Sequence, residues 1–176
     1  MPLAALALMS TVLKDRPAFA LELTDLKRFT IEQSVMPFEA VALSAPIDPG
    51  ADWDELVASW TMRAPSTVGF TVDIRVLSDA GPSPFFTLAR WSMQSQPFGS
   101  VIEARTSVNG QMNDFGSVDT DTLSLKAPAR RVEVRLRFNY NIAEGAVDLK
   151  EVMAGFKGLT LSFRNSKLAF KDRKPN

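Results

Sequence analysis

The chain has 176 residues, 45% of them hydrophobic, and 20 basic against 20 acidic side chains. That is the size and composition of one globular domain, and its balanced charge argues against nucleic acid as a partner. It contains no histidine and no cysteine, which removes Ser-His-Asp and Cys-His catalysis, disulfides, and nearly every zinc or copper site built from imidazole or thiolate.

Met1 to Leu13 is an apolar run. It is shorter than the roughly 20 residues that span a bilayer, so no stable membrane insertion is expected. Ala18-Phe19-Ala20 has the A-x-A form of a signal-peptidase site. The pattern predicts an export signal over residues 1–20, a single domain over 21–176, and a secreted or periplasmic location. No basic residue precedes the apolar run, and Lys14, Asp15 and Arg16 interrupt the approach from it to Ala18-Phe19-Ala20. A buried N-terminal helix or strand in a cytoplasmic protein is the alternative.

Phe38 to Leu43 predicts a strand, and Asp52 to Ala58 a short helix. In Thr67 to Val76, residues Val68, Phe70, Val72, Ile74 and Val76 alternate with Gly69, Thr71, Asp73 and Arg75. This period of two puts the apolar set on one sheet face. Phe85 to Trp91 predicts an aromatic strand, with Phe86, Leu88 and Arg90 on one face and Phe85, Thr87, Ala89 and Trp91 on the other. Further strands are predicted at Ile102 to Val108 and Val118 to Leu125. Arg131 to Phe138 alternates Val132, Val134, Leu136 and Phe138 with Glu133, Arg135 and Arg137, whose charges read as a solvated face. Val147 to Phe156 predicts a short helix stopped at Gly158. Leu159, Leu161 and Phe163 then resume the strand pattern. Turn signals at Pro46 to Gly50, Gly81 to Pro84, Pro97 to Gly99, Asn109-Gly110 and Asn113 to Gly116 separate these runs. Short strands between turns predict an all-β fold, an antiparallel β-sandwich of jelly-roll character.

Three sequence blocks occur in order: Glu55 to Trp60 (ELVASW), Ser83 to Ser92 (SPFFTLARWS), and Arg105 to Leu123 with its RTSVNGQ and DFGSVDTDTL elements. They resemble the non-catalytic, β-rich N-terminal region of secreted bacterial proteins that also carry a papain-like cysteine peptidase of the bacteriocin-processing type. The resemblance covers roughly Phe38 to Phe138. It implies an accessory region, with the catalytic Cys and His in a peptidase domain that follows. Neither residue type occurs here, so peptidase activity does not carry over.

Two constellations are candidates for binding. Trp53, Trp60 and Trp91 are the only tryptophans, and large aromatics in strands usually fill a core. The sharper expectation is a platform in which Trp60, Phe86 and Trp91 stack sugar rings while Arg90 and Arg105 hydrogen-bond hydroxyls or a carboxylate. The second is the oxygen-rich tract of Asn109, Asn113, Asp114, Asp119 and Asp121. Calcium takes about six to eight such ligands, which makes Asn113, Asp114, Asp119 and Asp121 candidate metal ligands, although the spacing is not that of an EF-hand. On one strand, Asp119 and Asp121 share a face and repel. A cation, or Arg90 and Arg105 across the sheet, relieves that; a solvated turn is the plain alternative. No other cofactor is expected, and both GxxxxGK and GxGxxG phosphate loops are missing. The expected function is a non-catalytic exported domain that binds an envelope polymer or glycan. The alternatives are a structural domain that docks a protein partner or self-associates, and a glycoside hydrolase pairing Glu103 with Asp119 or Asp121.

Overall fold

In the computed structural model, which describes residues 18–64, 68–95, 101–142 and 145–166, the alternating segments form two antiparallel sheets. The first runs β1 (Ala18–Leu23), β13 (Phe156–Arg164), β4 (Trp53–Met62), β11 (Thr122–Ala129), β10 (Gly116–Asp119), β9 (Gln111–Met112). The second runs β2 (Phe29–Gln33), β3 (Glu39–Ser44), β12 (Arg131–Tyr140), β5 (Val68–Ser78), β7 (Phe86–Ser95), β8 (Val101–Thr106), with the short β6 (Gly81–Pro82) beside β5. Without the hairpin extensions β2, β8, β9 and β10, the order β1-β13-β4-β11 packs on β3-β12-β5-β7. Each sheet thus interleaves early strands with late ones, which is jelly-roll winding.

The core forms where the inward rows of the two sheets meet. Leu56, Leu123, Leu159, Leu161 and Phe163 come from the first sheet, and Phe70, Val72, Ile74, Leu136 and Phe138 from the second. Phe163 stacks on Phe19 with ring centroids 5.2 Å apart and meets Trp53 edge-on at 5.2 Å. Phe70 lies 5.2 Å from Phe138 and 6.0 Å from Trp60. Each such ring removes about 150–250 Å² from water, so these contacts dominate the packing.

Four sequence expectations change. Asp52 to Ala58 is not helical but the start of β4. Its period-two pattern is hidden because Asp54 occupies an inward position; the carboxylate is satisfied there by the backbone N–H and hydroxyl of Ser166, both at 2.7 Å. Val118 to Leu125 is not one strand but the hairpin of β10 and β11. Its turn residues Thr120 and Asp121 take φ values of 47° and 62°, a left-handed conformation without glycine. On β7 the register shifts at Leu88, so Asp73 faces Thr87 while Val72 faces Ala89. The bulge moves the inward row from Phe86 and Leu88 to Ala89 and Trp91, all buried. Arg90 therefore leaves the face it was predicted to share with Phe86. Finally, α1 spans only Leu149–Ala154, with Asp148 capping Lys150 N–H, and Gly155 ends it rather than Gly158.

The Pro46–Gly50 turn is held by Asp48, whose carboxylate accepts from Gly50 N–H at 2.7 Å and from Arg130 Nε at 3.0 Å. The Gly50 hydrogen bond and then Arg130 hold its pKa below the ordinary 3.8. A depressed carboxylate contributes stability above its unfolded pKa and loses it as pH falls through the folded value. A carbon-13 NMR titration will therefore place the Asp48 midpoint below 3.8, and Arg130→Ala will raise it.

Candidate functional site

The two outer sheet faces differ in chemistry. On the first sheet, Ser59 pairs with Thr160, and Val57 lies between Ser162 and Thr122, so the face carries mostly small hydroxyls. On the second, the outward residues of β5 are Thr71, Asp73 and Arg75, opposite Arg137, Arg135 and Glu133 of β12. This is the charged face, and it is organised around one carboxylate.

Asp73 is 0% exposed although it lies on an outward row. Arg135 Nη2 and Nε reach its Oδ2 at 2.8 and 2.9 Å, and Arg137 Nε reaches the same oxygen at 2.8 Å. Thr87 Oγ1 donates to Oδ1 at 2.8 Å. Two guanidiniums and a hydroxyl saturate the carboxylate, while the Arg135 and Arg137 side chains keep 31% and 30% of their surface in water. Arg75 is bound to Glu133, its Nε donating at 2.7 Å. The Phe85 ring supports both neighbours, lying 3.9 Å from the Arg135 guanidinium and 4.6 Å from that of Arg75. Arg90 stands beyond Thr71 from Arg137 in the ladder, exposed and without an ion pair among the described residues. Glu39 reaches Arg137 at 4.0 Å. Four arginines meet Asp73, Glu133 and Glu39 here, and exposed Glu32 lies farther along the same outward row, beside Val41. Asp73 is buried beneath guanidiniums, so around it the face presents positive groups outward, in orientations fixed from below.

Of the predicted ligand residues, only Arg90 belongs to this face. Phe86 faces the core by strand alternation and Trp91 is turned into it by the β7 bulge; at 1% and 7% exposed they offer no ring face to a sugar. Trp60 is half-buried on the other sheet, against Phe70 and beside a shallow cleft of about 240 Å³ with Glu22, Lys157 and Thr160. Arg105 sits opposite Trp91 in the ladder, and its side chain, like that of Glu103, lies outside the described ones. The arginines of β12, expected as a solvated face, instead pack on Asp73. The sequence signal for this is that Asp73 is an acid within the alternation of β5, which register places directly opposite Arg135.

The oxygen-rich tract closes on itself. Asn113 Oδ1 accepts from Phe115 N–H at 2.8 Å and Gly116 N–H at 3.3 Å, and Asn109 Oδ1 from Thr120 N–H at 2.5 Å. Asp121 lies in the turn rather than beside Asp119 on a strand, and accepts from Val108 N–H at 2.7 Å and Ser107 Oγ at 3.4 Å. Gln111 bonds both backbone groups of Thr87, at 2.9 and 2.7 Å. Asp114 and Asp119 remain exposed. Among the described residues, no three His, Cys, Asp or Glu side chains are grouped to hold a metal ion. The tract's polar side chains thus fix its turns and tie β9 to β7, a local role that its Asn, Asp and Gly content signals.

A family model described as Peptidase C39 N-terminal domain matches residues 15–154. No curated protein and no solved structure matches the chain. Among the described residues, no helix is long and apolar enough to cross a membrane.

Proposed function

Because the chain belongs to the Peptidase C39 N-terminal domain family, we propose that it is a non-catalytic accessory domain, exported to the cell envelope, that binds an acidic envelope polymer through the arginine face of the second sheet. The observation that carries this reading is the anchoring of Arg135 and Arg137 on buried Asp73, with exposed Arg90 alongside. A guanidinium held from below has already lost rotamer freedom, so a carboxylate or phosphate oxygen meets preorganised donors. The absence of any Cys or His from the sequence supports a binding role over peptidase chemistry. The site would take a charged polysaccharide in preference to a neutral one.

Equilibrium binding to a carboxylate- or phosphate-bearing polysaccharide and to a neutral one, with and without calcium, tests this. The acidic polymer is expected to bind at least about tenfold tighter, with affinity falling as salt rises. Arg90→Glu is expected to cost about tenfold in affinity while leaving thermal unfolding unchanged, since Arg90 is exposed and carries no ion pair among the described residues. Equal binding by Arg90→Glu, or equal binding of neutral and acidic polymers, rejects the proposal. A calcium requirement would assign a role to exposed Asp114 and Asp119.

A second reading has its own support. Ile31, Val35 and Met36 are 49%, 96% and 48% exposed on β2 and the hairpin that follows. An apolar edge left unpaired among the described residues suits a protein partner or a second copy. Sedimentation of the wild type against Ile31→Lys over a range of concentrations separates self-association from a monomer.

A further inference from the structure

The sandwich opens on the side where the edge strands β1 and β2 lie. The link from Leu23 to Phe29 carries the chain from one sheet to the other, and no strand closes this side among the described residues. A cleft of about 370 Å³ results, walled by Leu21, Leu23, Phe29, Pro46 and Ile47. Its volume is at the small end of the roughly 300–1,000 Å³ typical of ligand pockets, which suits one alkyl chain better than a two-chain lipid.

The mouth holds two charges, Arg28 and Asp48. They do not neutralise each other. The Asp48 carboxylate is bound to Gly50 N–H and Arg130. Arg28 is exposed and has no ion pair among the described residues. The cleft therefore combines an apolar interior with an exposed cation that has no ion pair among the described residues.

We propose that this cleft is a binding site for an aliphatic carboxylate, its single alkyl chain seated against Leu21, Leu23, Phe29 and Ile47 and its head group paired with Arg28. The site is separate from the arginine face, which lies on the outside of the second sheet. Its occupancy does not depend on the polymer-binding reading.

Isothermal titration of the full chain with octanoate, decanoate and dodecanoate, each below its micelle concentration, tests the proposal. Affinity is expected to rise about fourfold per added CH₂ until the cleft is full, because each buried methylene contributes a fixed transfer free energy. Dodecanol is expected to bind at least about tenfold more weakly than dodecanoate, and Arg28→Glu to abolish that preference. Ala45 lines the cleft and is exposed, so Ala45→Trp fills the space without removing a core side chain and is expected to block every alkyl ligand. Arg90→Glu, on the outer face, is expected to bind dodecanoate like the wild type. No saturable binding, undiminished binding by Ala45→Trp, or an unchanged carboxylate preference in Arg28→Glu overturns the assignment.

Discussion

A chain ending at Ala154 will be unfolded, whereas one ending at Ser166 will unfold cooperatively. The family match ends at residue 154, but the fold does not. β13 lies between β1 and β4, and β1 has no other strand partner among the described residues. β13 also carries buried Phe156, Leu159, Leu161 and Phe163. At about 1.5–3 kcal/mol for each fully buried apolar side chain, their loss reaches the total stability of an ordinary domain, about 5–15 kcal/mol. The last two residues matter as well. Ser166 supplies both hydrogen bonds to Asp54, which is 3% exposed. Ending the chain at Arg164 strands that carboxylate, at a cost of about 1–3 kcal/mol. Near-ultraviolet circular dichroism through a urea titration distinguishes the three lengths. A cooperative transition in the chain ending at Ala154 would sink the claim that β13 completes the sheet.

Asp73→Ala is expected to destabilise the protein by about 3 kcal/mol. Removing one member of a buried ion pair costs about 3–5 kcal/mol, since the remaining charge keeps its desolvation without its partner. The low end applies because Arg135 and Arg137 retain about 30% of their surface in water. At about 2–4 °C per kcal/mol for a chain of this length, the melting temperature falls by roughly 6–12 °C. The same substitution removes a negative charge from the proposed polymer site, so charge alone predicts tighter binding. Loss of the anchor predicts weaker binding, because the guanidiniums become free to rotate. The second effect is expected to win, with affinity for an acidic polysaccharide reduced about fivefold in a variant still folded at the assay temperature. A gain in affinity would show that Asp73 only holds the sheet together. A double-mutant cycle with Arg137→Ala measures the coupling directly.

The strands that could be read from the sequence are those whose every other residue is apolar and buried. β5 and β12 meet that rule over their central stretches, so their span and faces were legible. The rule failed where a polar residue took an inward place, as Asp54 does in β4. It failed again at the β7 bulge, where one extra residue reverses the faces beyond it without changing composition. The β10–β11 turn was missed because Thr120 and Asp121 reach left-handed angles through a bond donated to Asn109 Oδ1 and one accepted from Val108 N–H, made with residues more than ten positions away. The candidate site was only half legible. Its arginines are visible as a pattern, but Asp73 and Arg135 are 62 residues apart and meet only through register. The cleft was not legible at all, since it is a gap left between two edges rather than a property of any segment.

The pairing of Ala18 with Arg164 also has a mechanical consequence. Tension between these two positions enters at the same end of an antiparallel ladder. It does not shear the hydrogen bonds together but opens them one pair after another, from Ala18 with Arg164 towards Leu23 with Leu159. The protein should therefore peel at low force, shedding β1 first and taking Leu21 and Leu23 from the cleft wall as it goes. A domain tethered by its two ends would release whatever that cleft holds when stretched.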